Sequence, residues 1–456
     1  MQITIYHTND IHSNYEFLKN VHAYLATNRT ENDFYFDSGD YNDLKSFLVQ
    51  SDKGISAMEL LMECRPDAMA LGNNEIDLEY EAIARMAAQG FPILCCNLTD
   101  GDGHLIEGLE ASRIFEKAGK RFLLLAVAPY FGANFRPNAY NLFFEMGNLK
   151  TQDSFRCIRE ELDRQQGKYD YCILLSHSGL KVDGEIHRQF PEIDLILGGH
   201  THNILSEPGY SQSGRGERLG KIVLQIEKQS IREIENLQLE LPEVENPVFE
   251  SIWKEKEQIA DSILSKELPV LEELSFDAFE ECKLINFICD ALRKHCGGDL
   301  AIMHHGIAEH SLLRPVSAKS LLEIFPSKLN PTLFPVLGEN IEEAVRQSLE
   351  EEHIRQNGEG AGFRGKVLGT LGFSSNVRIE QEPLRILVDG RELDKKREYW
   401  VVADDYLQRG SGYPALKVPD ERARFEKWFI RDLARHYLQD TEVFETMKIR
   451  RKHRGK

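Results

Sequence analysis

Seven side chains that can bind metal ions occur in five short stretches of the sequence, each at the end of a run of apolar residues. Strand ends that lead into loops are where open sheets gather functional groups, so we expect the five stretches to meet at one sheet edge. Such a set can hold two divalent ions of the Mn, Fe or Zn type that share one carboxylate. Two ions about 3.5–4 Å apart clamp a phosphate and activate a bridging water as a nucleophile. The donors are Asp10, His12, Asp40, Asn73, His177, His200 and His202.

Each stretch has a plainer interpretation when it is taken alone. The sequence Asp10-Ile11-His12 is of a kind that occurs by chance, and its aspartate could be a turn or cap residue. His177 alone would most often be a histidine satisfied near the core, and the pair His200 and His202 could lie on a solvated loop. The ordered occurrence of all five stretches at predicted strand ends favours a metal centre.

Short apolar runs alternate with amphipathic stretches through the first half of the chain, which predicts an α/β fold. In one such stretch, Phe155, Ile158 and Leu162 have the spacing of a buried helix face. The predicted strands are Ile3 to His7, Phe34 to Asp37, Ala68 to Leu71, Pro92 to Asn97, Phe122 to Ala128, Tyr171 to Leu175, Ile193 to Leu197, Ile222 to Ile226 and Ile234 to Leu241.

A chain of 456 residues is too long for one ordinary core, so we expect two domains. A helix that begins after the cap residue Asn246, with Pro247 in its first turn, is predicted to follow the first domain and to end by Pro269. In the second domain the pattern predicts a helix from Leu284 to His295 and a strand from Asp299 to Met303. The predicted buried face of the connecting helix consists of Phe249, Ile252, Trp253, Ile259 and Ile263.

The ordered motifs resemble those of the two-domain metallophosphoesterases of the 5′-nucleotidase, 2′,3′-cyclic-nucleotide phosphodiesterase and UDP-sugar hydrolase family. The resemblance implies an N-terminal calcineurin-like sandwich of two sheets flanked by helices (residues 1–240) and a linker helix (241–275). It implies a C-terminal α/β domain of the 5′-nucleotidase type, which binds the substrate (276–456). The stretches that carry the resemblance are His7 to His12, Asp37 to Asp40, Leu71 to Glu75 with Asp77, Ser176-His177 and Gly198 to His202.

By this resemblance the seven donors divide between two ions, and Asp40 bridges them. The implied reaction is hydrolysis of a phosphate ester, of a nucleotide or nucleotide-like small molecule, by in-line attack of a metal-bridging hydroxide. Asn73 and the metals would stabilise the charge on the phosphoryl oxygens. One ion would be held by Asp10, His12, Asp40 and His202, and the other by Asp40, Asn73, His177 and His200.

The sequence departs from the family at Asn74. The family pattern is Gly-Asn-His-Glu, and its histidine lies beside the phosphate, oriented by an aspartate that corresponds to Asp77. A carboxamide can donate a hydrogen bond but has no proton to release at neutral pH, so Asn74 cannot be a general acid. Two alternatives to a simple phosphomonoesterase therefore stay open. One is a hydrolase of cyclic phosphodiesters or pyrophosphates, such as nucleotide sugars or dinucleotides, and the other is a catalytically weak sensor that binds metal and nucleotide.

The second domain contains four candidate substrate residues. Where the family has Asn-Gly-Gly-x-Arg, whose arginine binds the phosphate, this chain has His304 and His305. These two are candidates for a replacement acid or, alternatively, an ordinary strand-end pair. Phe373 and Tyr413 occur in segments that resemble the loops that sandwich a nucleobase, where stacking on each ring contributes about 1–3 kcal/mol. The alternative for both rings is core packing.

Composition restricts the partners and the compartment. A net charge of −19 argues against binding to long nucleic acids or to anionic membranes, so we expect a small phosphorylated substrate as partner. We find no secretory signal before the first predicted strand, and the eight cysteines form no C-x-x-C pair, so we expect a reduced, cytoplasmic protein. The basic segment 448–456 is expected to be a solvated end. The oligomeric state stays open.

Overall fold

The alternation of strands and helices in the sequence is also the order of elements in the fold. The structure, a computed structural model, describes residues 1–130, 139–228, 230–360 and 362–453. The chain divides into two units, Met1–Ala260 and Asp261–Lys456, and the division falls inside the predicted linker segment. No helix in the described ranges is long and apolar enough to cross a lipid bilayer.

Most strands of the first unit belong to two sheets. In chain order the strands are β1 (Gln2–Thr8), β2 (Phe34–Asp37), β3 (Ala68–Met69), β4 (Leu98–Asp100), β5 (Ser112–Lys117), β6 (Lys120–Val127), β7 (Leu149–Thr151), β8 (Tyr171–Ser176), β9 (Leu195–Gly198), β10 (Ile204–Glu207), β11 (Tyr210–Ser213), β12 (Leu219–Ile226) and β13 (Ile231–Leu239). The strand orders are β13-β12-β1-β2-β3 in one sheet and β10-β11-β9-β8-β6-β5 in the other. In the first sheet β1, β2 and β3 are parallel, and in the second β6, β8 and β9 are parallel.

The two sheets of the first unit pack face to face. Strand β6 shows the period-two alternation that such packing requires: Leu124 and Ala126 belong to the cluster between the sheets, whereas Leu123 and Leu125 pack on the outer face. Burial of a leucine side chain contributes about 1.5–3 kcal/mol, so each face of this strand stabilises the unit. The α/β fold class and the two-sheet sandwich are confirmed.

Helices cover the sheets of the first unit. In chain order they are α1 (Tyr15–Asn28), α2 (Phe47–Asp52), α3 (Ile55–Glu63), α4 (Asn73–Ile76), α5 (Glu79–Ala88), α6 (Ala139–Met146), α7 (Ser154–Gln165), α8 (Leu180–Gln189) and α9 (Pro247–Leu264). Asp153 caps α7 by accepting a hydrogen bond from the amide of Arg156 at 3.1 Å. The predicted buried face of α7 is confirmed at Ile158 and Leu162, which pack on the outer face of the second sheet.

The connecting helix α9 begins where the sequence predicts and ends earlier. The side chain of Asn246 accepts a hydrogen bond from the amide of Phe249 at 3.3 Å, which confirms the cap. The helix ends at Leu264, five residues before Pro269, because the chain then enters a short strand. Ile259 and Ile263 are 50% and 40% exposed, so the prediction that they are buried is wrong.

The predicted strand from Pro92 to Asn97 does not form. Only isolated bridges occur there, at Ile93 and Leu94. The carboxamide of Asn97 accepts a hydrogen bond from the amide of Ala128 at 2.8 Å and donates one to its carbonyl at 3.0 Å. Asparagine side chains often hydrogen-bond to the backbone in this way, in competition with the ladder of a β-sheet.

The second unit contains a five-stranded sheet, β18-β15-β22-β17-β23, and a four-stranded sheet, β21-β20-β19-β24. Its strands are β14 (Glu267–Leu268), β15 (Leu300–His304), β16 (Val316–Ser317), β17 (Pro331–Leu337), β18 (Leu371–Phe373), β19 (Val377–Gln381), β20 (Leu384–Val388), β21 (Arg391–Glu392), β22 (Glu398–Asp404), β23 (Arg424–Phe425) and β24 (Lys452–His453). Its helices are α10 (Lys283–Cys296), α11 (Ala318–Ile324), α12 (Gly338–Gln347), α13 (Glu351–Ile354), α14 (Asp405–Gln408), α15 (Ile430–Tyr437) and α16 (Thr441–Thr446). The predicted helix and strand are confirmed as α10 and β15.

The basic C-terminal segment is exposed at residues 448–450 but is buried at Arg451 and Lys452, so it is not a solvated end throughout. Strand β24 pairs in parallel with β19, and the Arg451 side chain is only 1% exposed. Its guanidinium lies 2.6 Å from the carboxylate of Asp290 in α10. The prediction was wrong because the charge of Arg451 has a buried partner that is 161 residues away in sequence.

Replacing Arg451 by alanine should lower the free energy of unfolding of the second unit by about 3–5 kcal/mol, because the change leaves Asp290 as a buried, unpaired charge. The neighbouring Arg450 is exposed. Arg450→Ala should cost about 1 kcal/mol or less, since it removes one hydrogen bond from the side chain to the carbonyl of Lys452. Urea denaturation followed by circular dichroism measures both, and equal small losses would show that the buried pair does not hold the segment in place.

Candidate metal centre

The seven predicted metal-binding residues follow the carboxyl ends of strands in the first unit; six lie on loops, and Asn73 is the first residue of α4. Two of them follow β1, two follow β9, and one each follows β2, β3 and β8. These strands run parallel within each sheet, so their carboxyl ends meet at one edge. In chain order, the residues are Asp10 and His12 after β1, Asp40 after β2, Asn73 after β3, His177 after β8, and His200 and His202 after β9.

A first group of possible ligands is formed by Asp10, His12 and His202, whose ligand atoms lie within 4.8 Å of one another. The Oδ1 atom of Asp10 is 3.3 Å from Nε2 of His202 and 3.7 Å from Nε2 of His12. The two imidazole Nε2 atoms are 3.2 Å apart. One carboxylate and two imidazoles are a donor set suited to Zn, Fe or Mn.

A second group consists of Asp10, Asp40 and His177, which are all buried. Nε2 of His177 lies 3.5 Å from Oδ2 of Asp40 and 3.7 Å from Oδ1 of Asp10. Nε2 of His12, from the first group, is 3.9 Å from Oδ2 of Asp40. The carboxylates of Asp10 and Asp40 therefore each lie near histidines of both groups, as a ligand shared by two ions would have to.

Asn73 and His200 lie beside the second group. Nδ1 of His200 is 3.0 Å from Oδ1 of Asn73, and the His200 and His177 rings are 5.3 Å apart. An amide oxygen and an imidazole are suitable further ligands for a divalent ion.

Two buried polar atoms at the middle of this arrangement have no hydrogen bond of good geometry within the described ranges: Oδ1 of Asp10 and Nε2 of His177. The other polar atom of each of these two side chains is hydrogen-bonded. Oδ2 of Asp10 accepts hydrogen bonds from Nδ2 of Asn9 at 2.7 Å and from the amide of His200 at 2.9 Å. Nδ1 of His177 lies 2.8 Å from the carbonyl of Ser38 and donates to it. A buried unpaired polar atom costs about 1–3 kcal/mol, so these atoms fit metal ligands and not a closed hydrogen-bond network.

The charges of the site also favour a cation. Burial by itself lowers the pKa of His177, but the carboxylates of Asp40 and Asp10 outweigh burial and raise that pKa to about 10. The positive charge of His177 likewise holds the pKa of Asp40 below its usual range, although burial raises it. Two buried carboxylates this close thus attract positive charge, which divalent ions would supply.

Five of the seven residues have a left-handed backbone, which is uncommon for residues other than glycine. Such strain costs energy and persists where the surrounding structure enforces it, most often at functional sites. Their φ angles are 49° for Asp10, 47° for His12, 52° for Asp40, 73° for His200 and 56° for His202.

Glu75 joins two of the ligand loops, a role that the sequence analysis missed. Its Oε2 accepts hydrogen bonds from the amides of Asp40 and Gly72, each at 2.9 Å, and its Oε1 accepts one from the amide of Asn42 at 2.9 Å. The loops touch so closely that a Cβ atom on Gly72 would lie 2.1 Å from Oδ1 of Asp40. The only signal in the sequence is the position of Glu75 at the end of the Asn73 motif.

Asn74 lies against the predicted metal ligands. Its backbone amide donates to Oδ1 of Asp40 at 2.8 Å, and its Nδ2 donates to Oδ2 of Asp40 at 3.2 Å. The same Nδ2 is 3.1 Å from Nδ1 of His12. Asp77 follows the short helix α4, where its amide donates to the carbonyl of Asn73 at 2.9 Å. The orienting role of the Asp77 carboxylate stays a prediction.

The two predicted substrate histidines are buried in the second unit. Nε2 of His304 is 2.9 Å from Oδ2 of Asp404, and both side chains are fully buried. Nδ1 of His305 is 2.6 Å from the carbonyl of Asp277. Burial lowers the pKa of His305 to about 3, so this ring is neutral near pH 7. These contacts favour the alternative of a structural pair.

The two predicted base-stacking rings are also core residues. Phe373 is 1% exposed and Tyr413 is 0% exposed. The Tyr413 hydroxyl donates to the carbonyl of Gly369 at 2.9 Å, and its ring lies 4.9 Å from that of His353. Neither ring presents a face to solvent, which favours the alternative of core packing, and base stacking by these rings stays a prediction.

Two family models match the chain. The calcineurin-like phosphoesterase model matches residues 3–203, and the model of the 5′-nucleotidase C-terminal domain matches residues 266–418. The chain is 29% identical over 467 aligned positions to the uncharacterized metallophosphoesterase YunD of Bacillus subtilis, covering 95% of this chain and 98% of the relative.

Solved structures share the fold. A 5′-nucleotidase precursor from Thermus thermophilus has a TM-score of 0.58 at 16% identity, with 96% of each chain covered. The NAD nucleotidase of Haemophilus influenzae has a TM-score of 0.65 at 13% identity, with 100% of this chain and 98% of that chain covered.

Proposed function

Because the chain belongs to the metal-dependent phosphoesterases that combine a calcineurin-like domain with a 5′-nucleotidase C-terminal domain, we propose that it hydrolyses phosphate esters of a nucleotide or nucleotide-like small molecule. One observation carries the proposal. Oδ1 of Asp10 and Nε2 of His177 are buried, lack good hydrogen bonds in the described part of the chain, and are 3.7 Å apart among further donors.

The proposed cofactor is a pair of divalent ions, Mn, Zn or Fe. Asp40 is proposed as the bridge, since its Oδ2 faces His12 on one side and His177 on the other. When bound, such a pair polarises a phosphoryl group and lowers the pKa of a water molecule. The proposed ligands are Asp10, His12, Asp40 and His202 for one ion, and Asp40, Asn73, His177 and His200 for the other.

The surrounding residues would keep the ligands ready to bind. Asn9 and the His200 amide hold Oδ2 of Asp10, which leaves Oδ1 as its free ligand atom. The hydrogen bond to the Ser38 carbonyl keeps the proton of His177 on Nδ1, so Nε2 can coordinate. Glu75 fixes the backbone of Asp40. Little reorganisation is then needed when substrate binds.

A second candidate function follows from Asn74. Its carboxamide donates to Asp40 and cannot protonate a leaving group. Substrates whose leaving group needs less protonation, such as cyclic phosphodiesters and pyrophosphates, would lose the least activity from this change. A sensor that binds metal and nucleotide without turnover is the remaining alternative.

The protein is proposed to act in the cytoplasm. All eight cysteines are free, and six of them are buried. Reduced thiols in this number fit a reducing compartment better than an oxidising one.

The test is metal analysis combined with a hydrolysis panel. Protein loaded with Mn²⁺ and desalted should contain two ions per chain and should hydrolyse at least one class among nucleoside monophosphates, cyclic nucleotides, dinucleotides and nucleotide sugars. The metal-free protein should be inactive on the same panel. One ion or fewer with an intact fold would refute the two-metal site, and two ions without turnover of any class would support the sensor.

A further inference from the structure

A short loop after β11 lies against the predicted metal ligands and carries the exposed residue Arg215 between two glycines. Its backbone is fixed at both ends. The carbonyl of Gly214 accepts a hydrogen bond from Nδ2 of Asn9 at 2.8 Å, and the carbonyl of Gly216 accepts one from Nδ2 of Asn14 at 3.0 Å. The amide of Gly214 donates to the carbonyl of Asn203 at 2.8 Å.

These three anchors belong to the segments that carry the first ligand group. Asn9 precedes Asp10, and Asn203 follows His202. Gly216 has a φ of +60°, and a Cβ atom on it would lie 2.8 Å from the carbonyl oxygen of Ile11, between the two ligands of that segment. The position of the Arg215 backbone is therefore fixed relative to the first ligand group.

The charge of Arg215 has no partner within the described ranges, where its guanidinium forms neither a hydrogen bond nor an ion pair. By contrast, Arg218 on the same loop lies 3.5 Å from Glu240. The loop backbone keeps this charge near the first ligand group, since the adjacent Gly216 packs against Ile11, between Asp10 and His12. A cation held beside two divalent ions is unfavourable unless an anion lies between them.

We propose that Arg215 binds the anionic phosphate group of substrate and product at the metal centre, on the side of His12 and His202. This assignment rests on the proposed function, because the phosphate is the anion that such a centre would hold. A guanidinium suits this role, since its planar donors can form two parallel hydrogen bonds to phosphate oxygens. Arg215 would thus add a binding residue from the catalytic unit itself.

The test compares Arg215→Ala with Arg218→Ala, which removes a charge three residues away on the same loop. Both proteins are loaded with Mn²⁺, desalted and checked for two ions per chain. Inorganic phosphate is then titrated by calorimetry and used as a competitive inhibitor of hydrolysis. Arg215→Ala should weaken phosphate binding about tenfold or more, the usual effect of losing hydrogen bonds to a charged group. Arg218→Ala should stay within about twofold of the unaltered protein.

Arg215→Lys should be intermediate, because a lysine keeps the charge and loses the paired geometry. Equal phosphate affinities for Arg215→Ala and the unaltered protein would overturn the assignment, as would an unaltered protein that binds no phosphate. Phosphate binding that needs Arg215 in a protein that hydrolyses nothing would refute the proposed function and leave the assignment standing.

Discussion

Asp40→Asn should remove metal binding and hydrolysis together. The Oδ2 atom of Asp40 faces both His12 and His177, at 3.9 and 3.5 Å, so an amide nitrogen at that position would remove the shared negative charge that holds two cations close. Residues that only orient a metal ligand typically contribute 10–100-fold to affinity or activity, and a bridging ligand should exceed that range. Metal analysis and kcat/KM on the best substrate measure the two losses.

Asp77→Asn is the matched control for this change, since it makes the same chemical substitution on the neighbouring loop. It should leave the metal content at two and reduce activity little, because Asn74 is no acid for Asp77 to orient. If Asp77→Asn were as damaging as Asp40→Asn, Asp77 would have an acid–base role in its own right. If Asp40→Asn kept both ions, another residue must bridge them, and Asp10 is the candidate because its Oδ1 faces both groups.

Asn74→His should change which substrates the enzyme hydrolyses well. General acid catalysis contributes about 10²–10⁴-fold, most of all when the leaving group is a basic alkoxide. The unaltered protein should therefore be fast with aryl phosphates or anhydrides and slow with sugar monophosphates. The new imidazole would stand beside Asp40 and His12, where Asn74 now lies, with Asp77 three residues on to orient it. The dependence of rate on leaving-group pKa should become flatter.

A series of substrates with graded leaving groups measures this slope for the two proteins. The double variant His304→Ala with His305→Ala tests whether those histidines replace the missing acid. We expect it to leave the slope unchanged, since both rings are buried and His305 is neutral near pH 7. An unaltered protein whose rate is already independent of leaving-group pKa would show that the missing histidine does not limit the reaction.

The resemblance to the family decided the Asn74 prediction, and the structure sharpens it. From the sequence alone, Asn74 is only a departure from a pattern. The carboxamide donates a hydrogen bond to Oδ2 of Asp40, so it also supports a proposed metal ligand. Asn74→His thus removes a hydrogen bond that supports Asp40 and adds a side chain that can protonate the leaving group. The metal content should therefore be measured together with the rate.

Sequence by itself determined the fold class, the family and the strand ends that the seven proposed donors follow. These follow from local rules: apolar runs of strand length predict strands, and polar residues at their ends predict a site where parallel strands share an edge. Strand β2 even has the predicted bounds, Phe34–Asp37. The donor set of aspartate, asparagine and histidine needed no coordinates to suggest divalent ions.

Only the tertiary structure decided what each side chain meets. Whether Tyr413 presents a ring or packs in the core depends on residues such as Gly369, 44 positions away, and the structure favours packing. Arg451 is buried because Asp290 lies opposite it, while Arg215 stays unpaired among the described residues beside the proposed metal ligands. A charged or aromatic residue has the same letter whether it is solvated, buried or functional. Its energy is set by contacts between distant segments, which a pattern along the chain does not contain.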